Sequence, residues 1–572
     1  MKASSISILF LWLTTIFFLG SRGAALGQVQ LKDSVSAGQV NVVQDFKPVT
    51  VDAVKISPVP TIHDSVPAPV VMKYAPFDRF VPIRFVPPQV SAAKMKGEPL
   101  SKLYPGYVKA GFGLYSTSLM EFGFGSLRSK KYNFAIGAKH FASSGKIENH
   151  PAAGFADNDI KLSGHYFLNQ HDLSAEVQYY HHKFQYYGGV TPLEVPATIV
   201  AGRQFYSLIG ASLGFKPIKP VKEEKAYEYD GALRYYNFFD RYQNNEFYMG
   251  GWVNFGRYLN KELIGGKVSV DYYKNNYQSD SLNDAIITLA PYATTKRDRW
   301  EGRMGLKIMI ETNAGSTHFY PDLYARYTLI KDFLSVFTEV NGNLQRNGLK
   351  SFSEQNPFVY FGNGFRLANT STRLNLTGGV KGNISSAVFY NLSASYKIID
   401  SIPLFINRTV FEDSVQNHFV AYYESLNTTQ LSAEIGYRWA DRLLLSGYVK
   451  YYRYLSLESQ EFAWQLPQIE SGIKARYNLG DKLTGRLEFI YWGDRYALFQ
   501  TVNNPQTLQQ EVISTSQKLR GIPDLNIGVD YHYTSRLGAF VQFNNILVQR
   551  YYWWNQYPLQ RFNLMAGLKL LF

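Results

Sequence analysis

From Gly106 to the C-terminus, apolar and polar residues alternate with a period of two in many separate segments. That period puts successive side chains on opposite faces of a β-strand. The final segment has an apolar residue at every second position: Phe562, Leu564, Ala566, Leu568, Leu570 and Phe572. A second clear segment has the apolar set Leu431, Ala433, Ile435, Tyr437 and Trp439. The pattern predicts strands with one apolar face, which lipid or a core must cover.

About 22 segments of this kind follow one another, an even number that suits a barrel with both ends on the periplasmic side. Residues 440–442 join two of them so tightly that the two strands must be antiparallel. The pattern therefore predicts an all-β fold, a transmembrane antiparallel β-barrel of about 22 strands, give or take two, over residues 106–572. The longer aperiodic stretches are predicted extracellular loops: 185–202, 343–370, 400–416, 456–468 and 496–520.

The mean hydropathy of −0.21 would by itself suit a soluble protein. A barrel has the same average, because only alternate residues face lipid while the others line a polar lumen. The chain is rich in aromatic residues, with 43 Tyr, 39 Phe and 8 Trp, as expected for the aromatic girdles of a membrane barrel. The alternative interpretation is an aromatic-rich secreted β-protein.

The N-terminus predicts export. Lys2 precedes an apolar run over residues 6–19, and small residues follow up to Gly27, so residues 1–27 are a predicted cleavable signal peptide. The run is shorter than the ~20 residues of a spanning helix, which disfavours a retained anchor. The chain has no cysteine, which excludes an acylated-cysteine anchor, disulfides, thiolate metal sites and cysteine catalysis.

Residues 28–105 have a different character, because they hold eleven of the 24 prolines. Prolines at this spacing exclude long helices and central strands. This segment is a predicted proline-rich tail that lies in the periplasm or in the barrel lumen. The predicted domain organisation is thus a signal peptide (1–27), this tail (28–105) and an outer-membrane β-barrel (106–572).

The C-terminal block carries a family resemblance. Residues 538–552 and 557–562, with the Asn544-Asn545 pair followed by apolar residues, resemble the last strands of TonB-dependent receptors, and the barrel as a whole resembles the Bacteroidetes type. The closing strand also resembles the signal that the barrel-assembly machinery reads, with Phe562, Leu568, Leu570 and Phe572 as candidate signal residues. The resemblance implies location in the cell outer membrane and contact with its lipids.

The tail departs from the family pattern, because its 78 residues are too few for the globular plug of these receptors. A barrel of this size without a full-length plug would leave a wide aqueous hole. The tail, inward-folded loops or a partner protein could fill it. Residues 39–44 resemble a Ton box, which implies that Val40, Asn41, Val42 and Val43 are a candidate coupling segment for a TonB-like energy-coupling protein. An ordinary extended tail is the alternative.

The sequence predicts no enzyme, no cofactor and no metal site. The net charge of +14 is scattered along the chain without the basic stripe that nucleic-acid binding requires. His181 and His182 are adjacent, so a strand points them to opposite faces, and His140, His165, His171 and His532 form no set. The aromatic runs 186–187 and 551–554 are interpreted as girdle residues in preference to ligand-stacking ones.

The leading prediction for function is a receptor-like outer-membrane barrel for solute uptake or gating, porin-like or TonB-coupled. The alternative is a structural or assembly barrel that docks periplasmic or surface proteins, including lipoproteins, through its tail and loops. The short tail in place of a full plug is the feature that favours the alternative.

Overall fold

A computed structural model describes residues 103–189, 202–218, 227–277, 280–362, 365–410, 415, 417–503 and 511–572. The predicted signal peptide, nearly all of the tail and the candidate coupling segment lie outside these residues and stay predictions. In the described ranges, no helix is both long and apolar enough to cross a membrane.

The described strands and the one α-helix have the following bounds: β1 Gly106–Gly113, β2 Thr117–Gly125, β3 Tyr132–Ser143, β4 Phe155–Leu168, β5 His171–Tyr186, β6 Gly202–Pro217, β7 Tyr227–Asp240, β8 Asn245–Leu259, β9 Glu262–Tyr277, β10 Asp280–Lys296, β11 Trp300–Glu311, β12 Ser316–Ile330, β13 Leu334–Gln345, α1 Leu349–Gln355, β14 Thr370–Asn383, β15 Val388–Val410, β16 Asn417–Trp439, β17 Leu443–Leu455, β18 Ile469–Leu479, β19 Leu483–Trp492, β20 Arg495–Asn503, β21 Glu511–Leu519, β22 Ile522–His532, β23 Leu537–Asn544, β24 Tyr552–Trp554, β25 Tyr557–Pro558 and β26 Asn563–Leu571.

The strands form a closed antiparallel ring. Each strand from β1 to β18 pairs with the next one in the chain, β19 pairs with β22, and β22, β23 and β26 continue the ring until β26 pairs with β1. The ring has 22 strands, which confirms the predicted fold class and strand number. The hairpins β20–β21 and β24–β25 lie in connections between ring strands.

The two faces of the ring differ in polarity as the alternation predicts. On β16, Leu431, Ile435 and Trp439 are all more than half exposed on the outside, where lipid covers them. On the inside, charged side chains of neighbouring strands pair, as in Lys161–Glu176, Lys474–Glu488 and Arg486–Asp530. An apolar exterior around a charged, paired lumen is the arrangement of an outer-membrane barrel.

Successive connections lie alternately at one rim and the other, and the longest ones share one rim. Most connections at the turn rim have two to six residues, such as 126–131, 169–170 and 480–482, and this rim also holds the start of β1 and the end of β26. The loop rim holds longer connections, among them 346–369, 456–468 and 493–521. Barrels of this class place short turns in the periplasm and long loops outside the cell.

Two predicted loops contain strands. β15 continues to Val410, so most of 400–416 is not a loop, and 496–520 contains the β20–β21 hairpin, in which β20 pairs in parallel with the end of β15. Ile402, Leu404 and Ile406 are buried against the 456–468 loop, around Trp464, while Phe405 between them is buried on the other face. Burial on both faces removes the alternation, which is why the pattern missed this strand.

β26 closes the ring between β23 and β1. The Phe572 amide donates to the Gly106 carbonyl at 3.0 Å, and the Gly106 amide donates to the Phe572 carbonyl at 3.1 Å. Leu568, Leu570 and Phe572 are exposed on the lipid face, and the Phe562 ring contacts Phe543 just before the strand begins. The last residue therefore ties the two ends of the barrel together.

The predicted role of Phe572 as an assembly signal can be separated from its contact with lipid. Phe572→Ala should lower the amount of folded, heat-modifiable barrel in the outer membrane several-fold. Leu479→Ala is the matched control, because Leu479 is also a lipid-exposed apolar residue at the turn rim. Equal losses in the two variants would contradict a signal role.

Candidate functional site

The connection between β13 and β14 folds into the mouth of the barrel at the loop rim. Residues 346–362 and 365–369 of this connection are named the cap. Helix α1 begins the cap, and its Leu349 and Phe352 side chains are fully buried. Val359 and Phe361, which follow the helix, are also fully buried. These buried side chains pack into a hydrophobic core inside the mouth of the barrel.

Local sequence explains the path of the cap. A Cβ at Gly348 would lie 2.2 Å from Glu246 Oε2, so a larger residue here would push the Glu246 carboxylate out of its position. The Gly348 amide donates to Ser351 Oγ at 2.7 Å and starts the helix. After the helix, the buried Asn356 accepts a bond from the Phe358 amide at 3.0 Å, which turns the chain across the mouth.

An unbroken series of aromatic contacts crosses the mouth. Phe184 on β5 packs edge-on against Phe358 at 5.7 Å, and Phe358 stacks on Tyr557 at 3.8 Å between ring centres. Tyr557 in turn contacts Phe419 on β16 at 5.8 Å. Strands β5 and β16 are eleven strands apart in either direction around the ring of 22. The cap therefore joins opposite walls of the barrel.

Hydrogen bonds fix the centre of the cap to both walls. The Val359 carbonyl accepts from the Tyr186 hydroxyl at 3.1 Å and from the Tyr206 hydroxyl at 3.0 Å, on β5 and β6. On the opposite wall, the Tyr360 amide donates to the Phe419 carbonyl and the Phe419 amide to the Phe358 carbonyl. These backbone bonds make a short parallel bridge between the cap and β16.

The β24–β25 hairpin clamps the cap from one side. The Tyr557 hydroxyl donates to the Asn417 carbonyl at 2.7 Å, and burial raises the pKa of Tyr557 well above its usual value, so that it stays a donor. Arg495 holds the other end of the hairpin by donating to the carbonyls of Trp553 and Tyr552 at 2.7 and 2.6 Å. Burial lowers the pKa of Arg495 to about 10, which leaves it charged at neutral pH.

A buried ion pair anchors the start of the cap to β8. Glu246 and Arg346 lie 3.3 Å apart, and both side chains are less than a tenth exposed. Glu246 also accepts a bond from the Tyr236 hydroxyl at 2.6 Å, and the guanidinium of Arg346 lies 3.4 Å from the centre of the Tyr273 ring. Neither charge has another described carboxylate or guanidinium partner in this site.

The structure reassigns the aromatic runs that the sequence interpretation placed in a membrane girdle. Tyr186, Tyr187 and Trp554 are buried in the cap core, so that interpretation is wrong for them. The Tyr187 hydroxyl donates to the Pro558 carbonyl at 3.0 Å. A girdle tyrosine would face lipid head groups, whereas these side chains face one another across the mouth.

The histidines do not come together. His182 bonds to Asp157 on the lumen side, whereas His181 bonds to Ser207 at 2.7 Å, which confirms that the two point to opposite faces. In the described ranges, no group of three or more His, Asp or Glu side chains could hold a metal ion. His140 pairs with Asn158 at 2.8 Å, as an ordinary hydrogen-bonded side chain does.

Sequence reasoning missed the cap, although a signal was present. Residues 358–361, Phe-Val-Tyr-Phe, form a run of four large apolar side chains within a predicted loop. Such a run in water would be costly, so it indicates burial. The sequence gives no hint of the surface that buries it, because Tyr186 lies 173 residues from Val359.

Solved structures of outer-membrane receptors share this fold. The siderophore receptor PirA of Acinetobacter baumannii is 10% identical with a TM-score of 0.60, over 83% of this chain and 81% of that one. The FrpB iron transporter of Neisseria meningitidis is 10% identical with a TM-score of 0.61, over 83% and 82%. The pyoverdine receptor FpvA of Pseudomonas aeruginosa is 13% identical with a TM-score of 0.54, over 83% and 79%.

No protein-family model and no curated protein sequence matches the chain. The ring and these structures define the class: the protein is an outer-membrane β-barrel with the fold of TonB-dependent receptors. The structural neighbours are transport receptors, and at this identity the likeness establishes the fold alone. The Bacteroidetes type and the missing full-length plug stay predictions.

Removal of the Glu246 carboxylate should loosen the cap. Glu246→Ala leaves the Arg346 charge buried and unpaired, at a cost of about 3–5 kcal/mol. The chain has no native cysteine, so Val359→Cys can report cap opening through its rate of maleimide labelling. In that background we expect Glu246→Ala to speed labelling at least tenfold.

Glu262→Ala is the control for that comparison, because it breaks the more exposed pair with Arg297 at the turn rim. We expect this control to leave the labelling rate of Val359→Cys unchanged. Equal labelling rates in the Glu246 variant and its parent would show that the ion pair does not hold the cap.

Proposed function

We propose that the protein is a gated outer-membrane receptor for solute uptake, in which the cap closes the extracellular mouth at rest. The observation that carries this proposal is the continuous contact from β5 through the cap to β16. The receptor fold supports it, and the ligands of the similar receptors, siderophores and ferric enterobactin, make iron chelates the first solutes to test. In this proposal, an inward-folded loop closes the wide barrel at its loop rim.

Opening must release the cap from one wall while the ring stays intact. The Phe358–Tyr557 and Phe358–Phe184 contacts are worth about 0.5–1.5 kcal/mol each beyond burial. Hydrogen bonds to Val359 and Phe419 add about 0.5–1.5 kcal/mol each. A ligand that binds the open state more tightly must supply this free energy together with the cost of exposing the apolar surface that the cap buries at that wall.

A reversible lock tests the gate. Val359 and Phe419 are bridge partners, so Val359→Cys/Phe419→Cys places two thiols within disulfide reach in a chain without other cysteines. In planar bilayers, with Glu246→Ala added to loosen the cap, the oxidised double variant should show at least tenfold lower ion conductance than the same protein after reduction. Each single variant, treated with the same oxidant, should not respond.

The conductance measurement must distinguish closure by the cap from closure by the tail. We propose that residues 28–105 form the predicted periplasmic or lumenal tail, and a chain without residues 28–102 removes any contribution of the tail to closure. With an intact cap, that shortened chain should still conduct at least tenfold less than the shortened chain carrying Glu246→Ala. Full conductance of the shortened chain with its cap intact would contradict closure by the cap.

The proposal also includes coupling of uptake to an energy-transducing protein of the periplasm. Residues 40–43 are proposed to pair as an added strand with a TonB-like protein of the periplasm. Deletion of residues 38–45 should abolish co-purification of that protein and lower energised uptake to the passive level. The deletion should leave the folded amount of barrel unchanged. Undiminished uptake would rule out coupling through this segment.

One observation favours docking of a surface protein as a second candidate function. β21 pairs only with β20 among the described strands, and residues 512–518 are exposed on both faces. A strand edge of this kind can accept an added strand from a partner. If docking is the main function, a surface lipoprotein should co-purify with the wild type and be lost when Thr515→Pro blocks the edge. The gate proposal predicts instead that Thr515→Pro leaves conductance unchanged.

A further inference from the structure

The lipid-facing surface of β3, β4 and β5 contains an apolar groove of about 340 Å³. Two rows of paired residues form it: Phe134–Gly164–Ala175 and Ile136–Leu162–Val177. The first row continues to the large, exposed Leu213 on β6. The small residues Gly164 and Ala175 thus leave a depression between two bulky neighbours.

The groove adjoins the most basic described turn of the barrel. Residues 126–131 between β2 and β3 contain Arg128, Lys130 and Lys131 and no acid. The other described turns at this rim carry a net charge of at most one positive unit: 169–170, 260–261, 297–299, 331–333, 384–387, 440–442, 480–482 and 533–536. Arg128, Lys130 and Lys131 are all exposed to solvent.

A hydrogen bond holds the basic turn against a strand of the groove, and the turn and the groove lie at the membrane depths that a lipid head group and its acyl chains occupy. The Lys131 carbonyl accepts from the Phe167 amide at 2.8 Å, which holds the turn against β4. Phe134 and Ile136 follow Lys131 by three and five residues, or about 10 and 17 Å along the strand. One leaflet occupies about 15 Å of the hydrocarbon core, so the basic side chains lie at head-group level while the groove lies among acyl chains.

We propose that this surface binds one anionic glycerophospholipid of the inner leaflet. An acyl chain fills the groove over Gly164 and Ala175, and the phosphate lies against Arg128, Lys130 and Lys131. The turn rim faces the periplasm, so the occupant comes from the inner leaflet. Charge complementarity selects an anionic head group over a zwitterionic one. The site lies on the outside of the ring and does not depend on the cap.

Two kinds of variant address the two halves of the site. A Cβ at Gly164 would meet only the Asn133 carbonyl oxygen, at 3.7 Å, so Gly164→Leu fills the groove without strain. Its matched control is Gly485→Leu on β19, where the nearest atom is the Tyr477 carbonyl oxygen at 4.0 Å. For the head group, Arg128→Gln/Lys130→Gln/Lys131→Gln removes three positive charges.

The matched charge control is the triple variant Lys261→Gln/Lys331→Gln/Lys482→Gln, which removes three charges from three other turns. Native mass spectrometry of the full chain, titrated with phosphatidylglycerol or phosphatidylcholine, measures the retained lipid. The wild type should retain one phosphatidylglycerol at least tenfold more tightly than phosphatidylcholine. Gly164→Leu should weaken that binding about tenfold, and the basic-turn variant should abolish the preference, whereas both controls keep it.

Three outcomes would overturn the proposal. The first is equal retention of phosphatidylglycerol and phosphatidylcholine by the wild type. The second is equal loss of lipid in Gly164→Leu and Gly485→Leu, which would indicate a general effect on the lipid annulus. The third is displacement of the bound phosphatidylglycerol by lipopolysaccharide, which would assign the site to an outer-leaflet lipid.

Discussion

The width of a 22-strand ring is the constraint on which the rest of the structure depends. Inward side chains fill the lumen of a barrel of about eight strands, but they cannot reach across one of this size. Instead, charged side chains of the wall that face the lumen form ion pairs between neighbouring strands, such as Lys161–Glu176. The wall by itself therefore leaves the mouth open, and the long β13–β14 connection folds across it.

The cap is a small hydrophobic core built at the water-filled end of a membrane protein. Soluble proteins bury aromatic side chains because water surrounds them, and the same force acts at the loop rim, where no lipid is present. Burial of Phe352, Val359 and Phe361 holds the loop inward, and hydrogen bonds from Tyr186 and Tyr206 fix its position. The Glu246–Arg346 pair then fixes where the cap leaves the wall.

Sequence periodicity predicted the ring well and the cap not at all. Strands such as β16 and β26 alternate strictly because lipid covers one face and water the other, so the faces of Leu431 and Leu568 follow from the sequence. The extension of β15 near Phe405 lost the alternation, since both of its faces are buried. Contacts of the cap join residues far apart in the chain, such as Glu246 and Arg346 at 100 positions and Tyr186 and Val359 at 173, and no local pattern encodes their pairing.

The cap is a folded part of the wall and not a loop that samples many positions. Hydrogen exchange of the two peptides that contain Tyr360 and Phe419, with the protein in lipid nanodiscs, distinguishes these two states. The Tyr360 amide is bonded to the Phe419 carbonyl, and the Phe419 amide to the Phe358 carbonyl. Both amides should be protected almost as strongly as the amides of the ring strands. Exchange as fast as in the exposed β2–β3 turn would contradict it.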